Sequence, residues 1–338
     1  MPTFCRHGRF LERCPICSKT LPGNAPEGGG SRGGGRKRQP SGAARGTSGT
    51  ARRGGPRAGG LRVSRQQRAV EDGYSSSLLP GVRASADAER LASEIAFANG
   101  RLLALSADPP DARLPDLYGE VRELASSDVE QATWVCFLTA YLCPLESEQP
   151  FAGIRQALLS ERDELDDLDD VPLGPRSTHN LTGGATTLDA YRAWYQQAGS
   201  QLLAFTGDES WSAQRRFERL FERLALPGLS RAARYELLVL LGSLGVYELQ
   251  AGSLQLAGAR VGASEDPTVT AAKRIFAIGD PLLLERRAAT LAQALAVPIA
   301  ALDLALANWI AERRATVGFE PDVADGATLE LAREELGL

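Results

Sequence analysis

Several features that mark membrane and secreted proteins are missing from this sequence. No apolar run approaches the ~20 residues that a helix needs to cross a bilayer. The N-terminus is polar and carries Cys and His instead of the apolar core of a signal peptide. These absences predict a cytoplasmic chain with no membrane partner. Histidine is scarce, at two in 338 residues, and cysteine amounts to five. Cys5, Cys14 and Cys17 crowd the start, while Cys136 and Cys143 stand alone in an apolar stretch. That distribution suits a reducing compartment with one metal site better than a disulfide framework.

What is present is ordinary on average and uneven in detail. Hydrophobic content of 43% and charged content of 24% fit a globular chain of one sizeable domain or two modest ones. The formal net charge of −4 conceals a split. Residues 1–20 carry +3 and residues 21–69 carry +10, which leaves −17 on residues 70–338. Eleven positive charges in the second segment would neutralise phosphates and give sequence-blind, salt-sensitive affinity for nucleic acid.

Three zones follow. Residues 1–20 form a Cys/His segment in which Cys5-x-His7 and Cys14-x2-Cys17 offer four zinc ligands within thirteen residues. Zinc prefers four such donors in a tetrahedron, and metal binding would fold a piece too short for a core. The expected cofactor is therefore structural zinc, with none for catalysis. Residues 21–83, Gly-, Pro-, Ser- and Arg-rich over most of their length, predict a disordered linker, because they have little apolar surface to offset ordering entropy. Residues 84–338 predict an all-α domain.

Its helices are expected over 87–105, 114–125, 129–142, 151–159, 188–205, 212–224, 231–244, 269–277, 282–295, 299–314 and 329–335. The helix 129–142 is apolar nearly all round, which marks a buried element. Only 247–259 alternates as a short β-hairpin would.

Two stretches carry chemistry. Leu226-Pro227-Gly228-Leu229-Ser230-Arg231 reads as a tight turn between helices. Glycine allows close backbone approach, and the next helix offers free N–H groups to a phosphate. Downstream, Asp266-Pro267-Thr268-Val269 places an acid at the mouth of a new helix, with Pro267 suited to its first position. Asp266 is at once a helix cap and a candidate catalyst.

This order of motifs resembles the helix-hairpin-helix DNA glycosylase superfamily. There an L-P-G-[VI]-G hairpin precedes the segment with the catalytic aspartate. More closely, Arg234-Tyr-Glu-Leu-Leu-Val, Gly279-Asp-Pro-Leu-Leu-Leu-Glu-Arg-Arg-Ala and Ala301-Leu-Asp-Leu-Ala-Leu-Ala-Asn-Trp309 look like the α-glutamyl/putrescinyl thymine pyrophosphorylase group. Those are glycosylase-like proteins associated with hypermodified phage bases. The resemblance implies DNA as partner, 226–231 as its backbone contact, and Asp266 as the group that stabilises an oxocarbenium-like transition state on a flipped base. Ser230 replaces the last hairpin glycine. Ala232 stands where bifunctional members carry a Schiff-base lysine, so no lyase activity is expected. The separation between the hairpin and Asp266 is also longer than in simple glycosylases.

Further pocket candidates are His179 and Arg176 in a polar loop, Trp134 and Trp194 as stacking platforms, and Asp303, a lone acid on an apolar helix. Such an acid needs a partner, for which Arg286 or Arg287 are available. The expected function is a monofunctional DNA glycosylase acting on modified bases, with a place in defence against phage. The alternatives are a transferase acting on activated hydroxymethyl pyrimidines and a non-catalytic DNA-binding adaptor.

Overall fold

Short polar residues set most of the helix starts in the computed structural model, which describes residues 69–160, 165, 168, 170–179, 183–258 and 266–338. In chain order the helices are α1 (Ser85–Ser106), α2 (Asp116–Ser127), α3 (Val129–Leu142), α4 (Ala152–Ala157), α5 (Gly184–Ala198) and α6 (Gln201–Thr206). They continue with α7 (Ala213–Arg223), α8 (Arg231–Ser243), α9 (Pro267–Phe276), α10 (Pro281–Ala294), α11 (Ile299–Ile310) and α12 (Gly326–Leu336). The side chains of Asp128, Ser200, Ser212, Ser230, Asp266, Asp280 and Asp325 each accept a first-turn N–H. These acceptors satisfy donors that have no partner inside the helix. Asp-Pro opens both α9 and α10, with the proline where its missing N–H costs nothing. Among the described residues there is no strand, and the fold is all-α.

Two helices run through the middle. α3 is buried on every side from Ala132 to Leu142, and α11 from Ala301 to Asn308. α11 packs against α1, α9 and α10, and α3 packs against α2, α8 and α4. α8 joins the two groups through α3 and α1, and also leans on α7. α7 shows the usual amphipathic logic: Phe217, Leu220 and Phe221 face inward while Arg and Glu cover the outside.

The structure departs from the sequence reading in four places. Packed chain already lies upstream of Ala84, among the last residues of the stretch expected as a linker. Leu79 and Val82 are buried, Gly81 N–H donates to the Ile275 carbonyl at 2.8 Å, and the Tyr74 hydroxyl donates to the Leu336 carbonyl at 2.7 Å. A Cβ at position 81 would lie 1.8 Å from the Arg274 carbonyl oxygen, so only glycine fits there. The helix expected over 188–205 is two helices, because Ser200 turns its hydroxyl to the Leu203 N–H and restarts the chain as α6. α11 stops at Ile310 instead of running to Arg314. There Asn308 accepts from Ala315 N–H and donates to the Ala315 carbonyl, which holds the departing chain against the helix end.

The fourth departure is the segment expected as a β-hairpin. It is an irregular loop with a single 3-10 turn, Leu256–Gly258. Side chains replace the missing strand ladder. Glu285 accepts from the N–H groups of Leu254 and Leu256, at 2.9 and 2.6 Å, and Tyr235 donates to the Ser253 carbonyl. Alternating polarity there reflects a loop pinned on one face, with no second strand to pair.

Candidate functional site

The α7–α8 connection sets one wall. Leu229 N–H donates to the Leu226 carbonyl across a four-residue turn, with Pro227 second and Gly228 third at φ +74°. That is the arrangement of a type II turn, whose third position favours glycine. A Cβ at 228 would also come within 1.9 Å of the Thr187 hydroxyl on α5. Pro227 and Gly228 are exposed while Leu229 is buried and anchors the turn. The Ser230 hydroxyl then accepts from Ala233 N–H and starts α8.

Arg231, the first residue of α8, turns inward. Its Nε donates to Asp266 Oδ2 at 3.0 Å, its Nη1 to the Leu254 carbonyl at 2.9 Å, and its Nη2 to Asp303 Oδ1 at 2.6 Å. Nη2 also reaches Asp266 Oδ1 at 3.3 Å. Its side chain is 1% exposed, so it ties elements together and does not reach out from the turn. Asp266 caps α9 as well, its Oδ1 accepting from Thr268 N–H at 2.9 Å and Val269 N–H at 3.2 Å.

Asp303, in the middle of α11, is held from two sides. Its Oδ2 accepts from Arg176 Nη2 at 2.8 Å, and its Oδ1 from Arg231 and from the Thr268 hydroxyl. The sequence pointed to Arg286 or Arg287 as its partners. Both lie exposed on α10, and the partners are Arg176 and Arg231, brought in from the loop before α5 and from the start of α8. Burial raises the Asp303 carboxyl, but the two guanidinium groups outweigh it and hold the pKa below the ordinary value. Burial likewise opposes the charge on Arg231, and the Asp303 and Asp266 carboxylates overcome that and raise its pKa. Asp266, Arg231, Asp303 and Arg176 thus form one alternating, charge-balanced chain across α9, α8, α11 and the loop before α5.

A second buried pair, unnoticed in the sequence, lies beside it. Arg101 of α1 donates to Glu236 of α8, and both residues are buried. The signal was present: Glu236 sits in the apolar run Tyr235-Glu-Leu-Leu-Val, as Asp303 does in its own helix. Glu236 and Arg176 line the same cleft, with Thr139, Ala140, Cys143, Pro144, Ala232, Ala233 and Val317 around them. The cleft is small, with room for about one water. Arg176 Nη1 is buried with no hydrogen-bond partner. Ala232, the position that argued against lyase chemistry, forms part of this wall.

The remaining candidates fall elsewhere. His179 Nδ1 lies 3.0 Å from the Tyr141 hydroxyl, with the two rings edge to face. Trp134 does not offer a stacking platform: it is 1% exposed and packed against Phe137 and Tyr191, with its ring nearly parallel to both. A helix buried on all sides cannot present its aromatic residue to a base. Trp194 is partly buried, with its edge against Phe205 and Arg223 over its face. Cys5, His7, Cys14 and Cys17 lie outside the described residues. Among the described residues no group of three or more His, Cys, Asp or Glu side chains is placed to hold a metal.

No curated protein and no solved structure matches the chain. Residues 176–319, which contain the whole Arg176–Asp303–Arg231–Asp266 chain, the turn before α8 and Glu236, match the family described as alpha-glutamyl/putrescinyl thymine pyrophosphorylase clade 3.

Proposed function

We propose that this protein acts on a thymine-type base in DNA whose 5-methyl group is activated as a pyrophosphate ester, and transfers that carbon to an amine. The amine nitrogen attacks the exocyclic methylene, the methylene C–O bond breaks with its electron pair leaving on pyrophosphate, and the amine loses a proton to solvent. The observation that carries this reading is the family match over 176–319, which includes every member of the buried Arg–Asp chain.

The state of Asp266 supports transfer over excision. Cleaving a glycosidic bond needs a carboxylate whose charge stabilises a cationic sugar. Here both Asp266 oxygens face Arg231, and Oδ1 also accepts two backbone N–H groups. A carboxylate neutralised this way has little field left for a developing cation. Hydrolytic base removal stays as the second reading because the turn at 226–230 and Asp266 are joined through Arg231.

The two separate cleanly in one assay. Full-length protein is incubated with single-stranded DNA carrying 5-(pyrophosphoryloxymethyl)uracil and a diamine or amino acid. Transfer yields pyrophosphate and a base that carries the amine on its 5-methylene, with the sugar bond intact. Excision yields abasic sites that disappear with Asp266→Asn. DNA binding with neither product overturns both readings and leaves an adaptor.

A further inference from the structure

Each carboxylate between Asp266 and Asp303 is committed to donors within the fold. Asp266 and Asp303 both accept from Arg231, Asp280 accepts from the Leu282 and Leu283 N–H groups, and Glu285 accepts from those of Leu254 and Leu256. Two arginines of the same stretch are left over. Arg286 and Arg287 are exposed on α10 and make no ion pair among the described residues. α10 packs mainly against α9, α11 and the 3-10 turn Leu256–Gly258. Apart from the buried Asp303, the charged side chains of those three elements are Lys273 and Arg274, in the last turn of α9. The outer face of α10 is therefore basic, on a body that carries −17 over residues 70–338.

One turn earlier, the same face carries bare apolar surface. Leu282 is 71% exposed and Leu283 45%. Residues four apart share a helix face, so Leu282 stands beside Arg286 and Leu283 beside Arg287, about 6 Å apart along the axis. Cations one turn beyond apolar side chains match a polymer that alternates anionic groups with flat apolar faces. We infer that an unpaired DNA strand lies along the outer face of α10, with phosphates on Arg286 and Arg287 and with sugar and base faces on Leu282 and Leu283. Base faces are hidden within a duplex, so the leucines meet them only where the strand is unpaired. A lipid surface is the poorer match. Membrane-bound helices set a wide apolar face against a basic one, and α10 keeps its wide apolar face, Leu284, Ala288, Leu291 and Ala292, for the core. The inference rests on the reading of the protein as an enzyme of DNA bases and adds the surface that presents the strand.

The face is also tied to the buried chain of charge. Glu285 accepts from Leu254 N–H at 2.9 Å, and the Leu254 carbonyl accepts from Arg231 Nη1 at 2.9 Å. Arg231 in turn holds Asp266 and Asp303. A strand on α10 is thus joined to the Arg–Asp chain through the backbone of one residue. The turn at Pro227–Gly228 brings no cation of its own, since Arg231 faces inward. Two arginines neutralise only two phosphates, so α10 steers the strand while the bulk of the affinity belongs elsewhere in the chain.

Fluorescence anisotropy of full-length protein with a short single strand and with its duplex, at several salt concentrations, tests this surface. Arg286→Gln with Arg287→Gln should lower the slope of log affinity against log salt by about 1.4, about 0.7 for each phosphate, and weaken single-strand binding about 10- to 30-fold at about 0.1 M salt. Leu282→Ser with Leu283→Ser should weaken single-strand binding about 10-fold at every salt concentration and leave duplex binding unchanged. All four side chains are exposed, so thermal unfolding should match the parent. If the leucine variant melts early, the arginine pair decides alone. An unchanged slope in the arginine variant overturns the surface, and equal leucine losses on single strand and duplex overturn the unpaired strand. Binding to phosphatidylserine vesicles that these variants lose, with the DNA slope unchanged, assigns the face to a membrane instead. A reduced slope without transferase product from the parent leaves the surface standing and removes the reaction. Transferase product with an unchanged slope does the reverse.

Discussion

Arg231 and Asp303 meet at 2.6 Å with side chains 1% and 2% exposed, which makes the link between α8 and α11 a fully buried ion pair. Asp303 answers two guanidinium groups at once, so removing its charge leaves both Arg176 and Arg231 under-compensated. Asp303→Asn should cost about 3–5 kcal/mol, the range for breaking one side of a buried pair. Replacing Asp303 and both of its guanidinium partners with apolar residues of similar volume, Arg176→Met, Arg231→Met and Asp303→Leu, should abolish activity yet recover much of that loss, because Asp266 keeps its two backbone N–H donors at the start of α9. Urea denaturation of the two variants checks this. Equal destabilisation would show that the geometry around Leu254 and Asp266, and not buried charge, dominates.

The same pair fixes the sign of an acid response. The Asp303 pKa is lower in the folded chain than in the unfolded one, so the unfolded state binds more protons between those two values. Stability from this group is therefore complete above the ordinary Asp value of about 3.9 and is lost as pH falls below it. Urea midpoints measured at about pH 5 and about pH 3 should fall on acidification. The fall should be smaller in Asp303→Asn, which has no such proton to bind. An identical fall in both proteins would assign the response to other carboxylates, such as Asp111, held at about 2 by Arg113.

At the turn before α8, two separate penalties meet at one residue. Gly228→Ala places a side chain at φ +74°, at a cost of about 1–2 kcal/mol. It also drives the Cβ against the Thr187 hydroxyl. Thr187→Ala in the same chain should relieve the clash but not the backbone strain. The double variant should therefore melt between Gly228→Ala and the parent. If Thr187→Ala restores nothing, the turn has moved as a unit and the backbone strain is the whole effect.

How far the sequence could be read depended on whether a signal was local. Helix starts were legible, because an Asp or Ser before an apolar periodicity acts within three residues, as at Asp128, Ser230 and Asp266. The need for a partner at Asp303 was legible too, since an acid in an apolar run cannot stay alone. Its partners were not: Arg176 and Arg231 lie 127 and 72 residues away, and only the placement of the loop before α5 and of α8 beside α11 brings them in. Trp134 shows the converse. Its residue type fits a stacking surface, and the burial of α3 on every side removes that role. Alternation over 247–259 misled for a related reason, because Glu285, beyond the segment, supplies the acceptors that a second strand would have supplied.

Charge makes one more division of labour testable. Residues 1–68 carry a formal +13 while the remainder carries −17, so the acidic part repels the polymer on which the proposed reaction takes place. Affinity for DNA must then come largely from the basic segment and release counterions as it binds. A chain lacking residues 1–68 should bind single-stranded DNA far more weakly, with a flatter dependence of log affinity on log salt. Each phosphate that is no longer neutralised lowers that slope by about 0.7. The shortened chain's reactivity toward a free nucleotide should be unchanged, because Arg176, Glu236 and the Arg231–Asp303 pair all lie in what remains. Binding isotherms at several salt concentrations, set beside turnover on the nucleotide alone, separate the two properties. An unaltered slope would place the phosphate-binding groups on the described helices instead, with the exposed turn at Pro227–Gly228 as the first place to look.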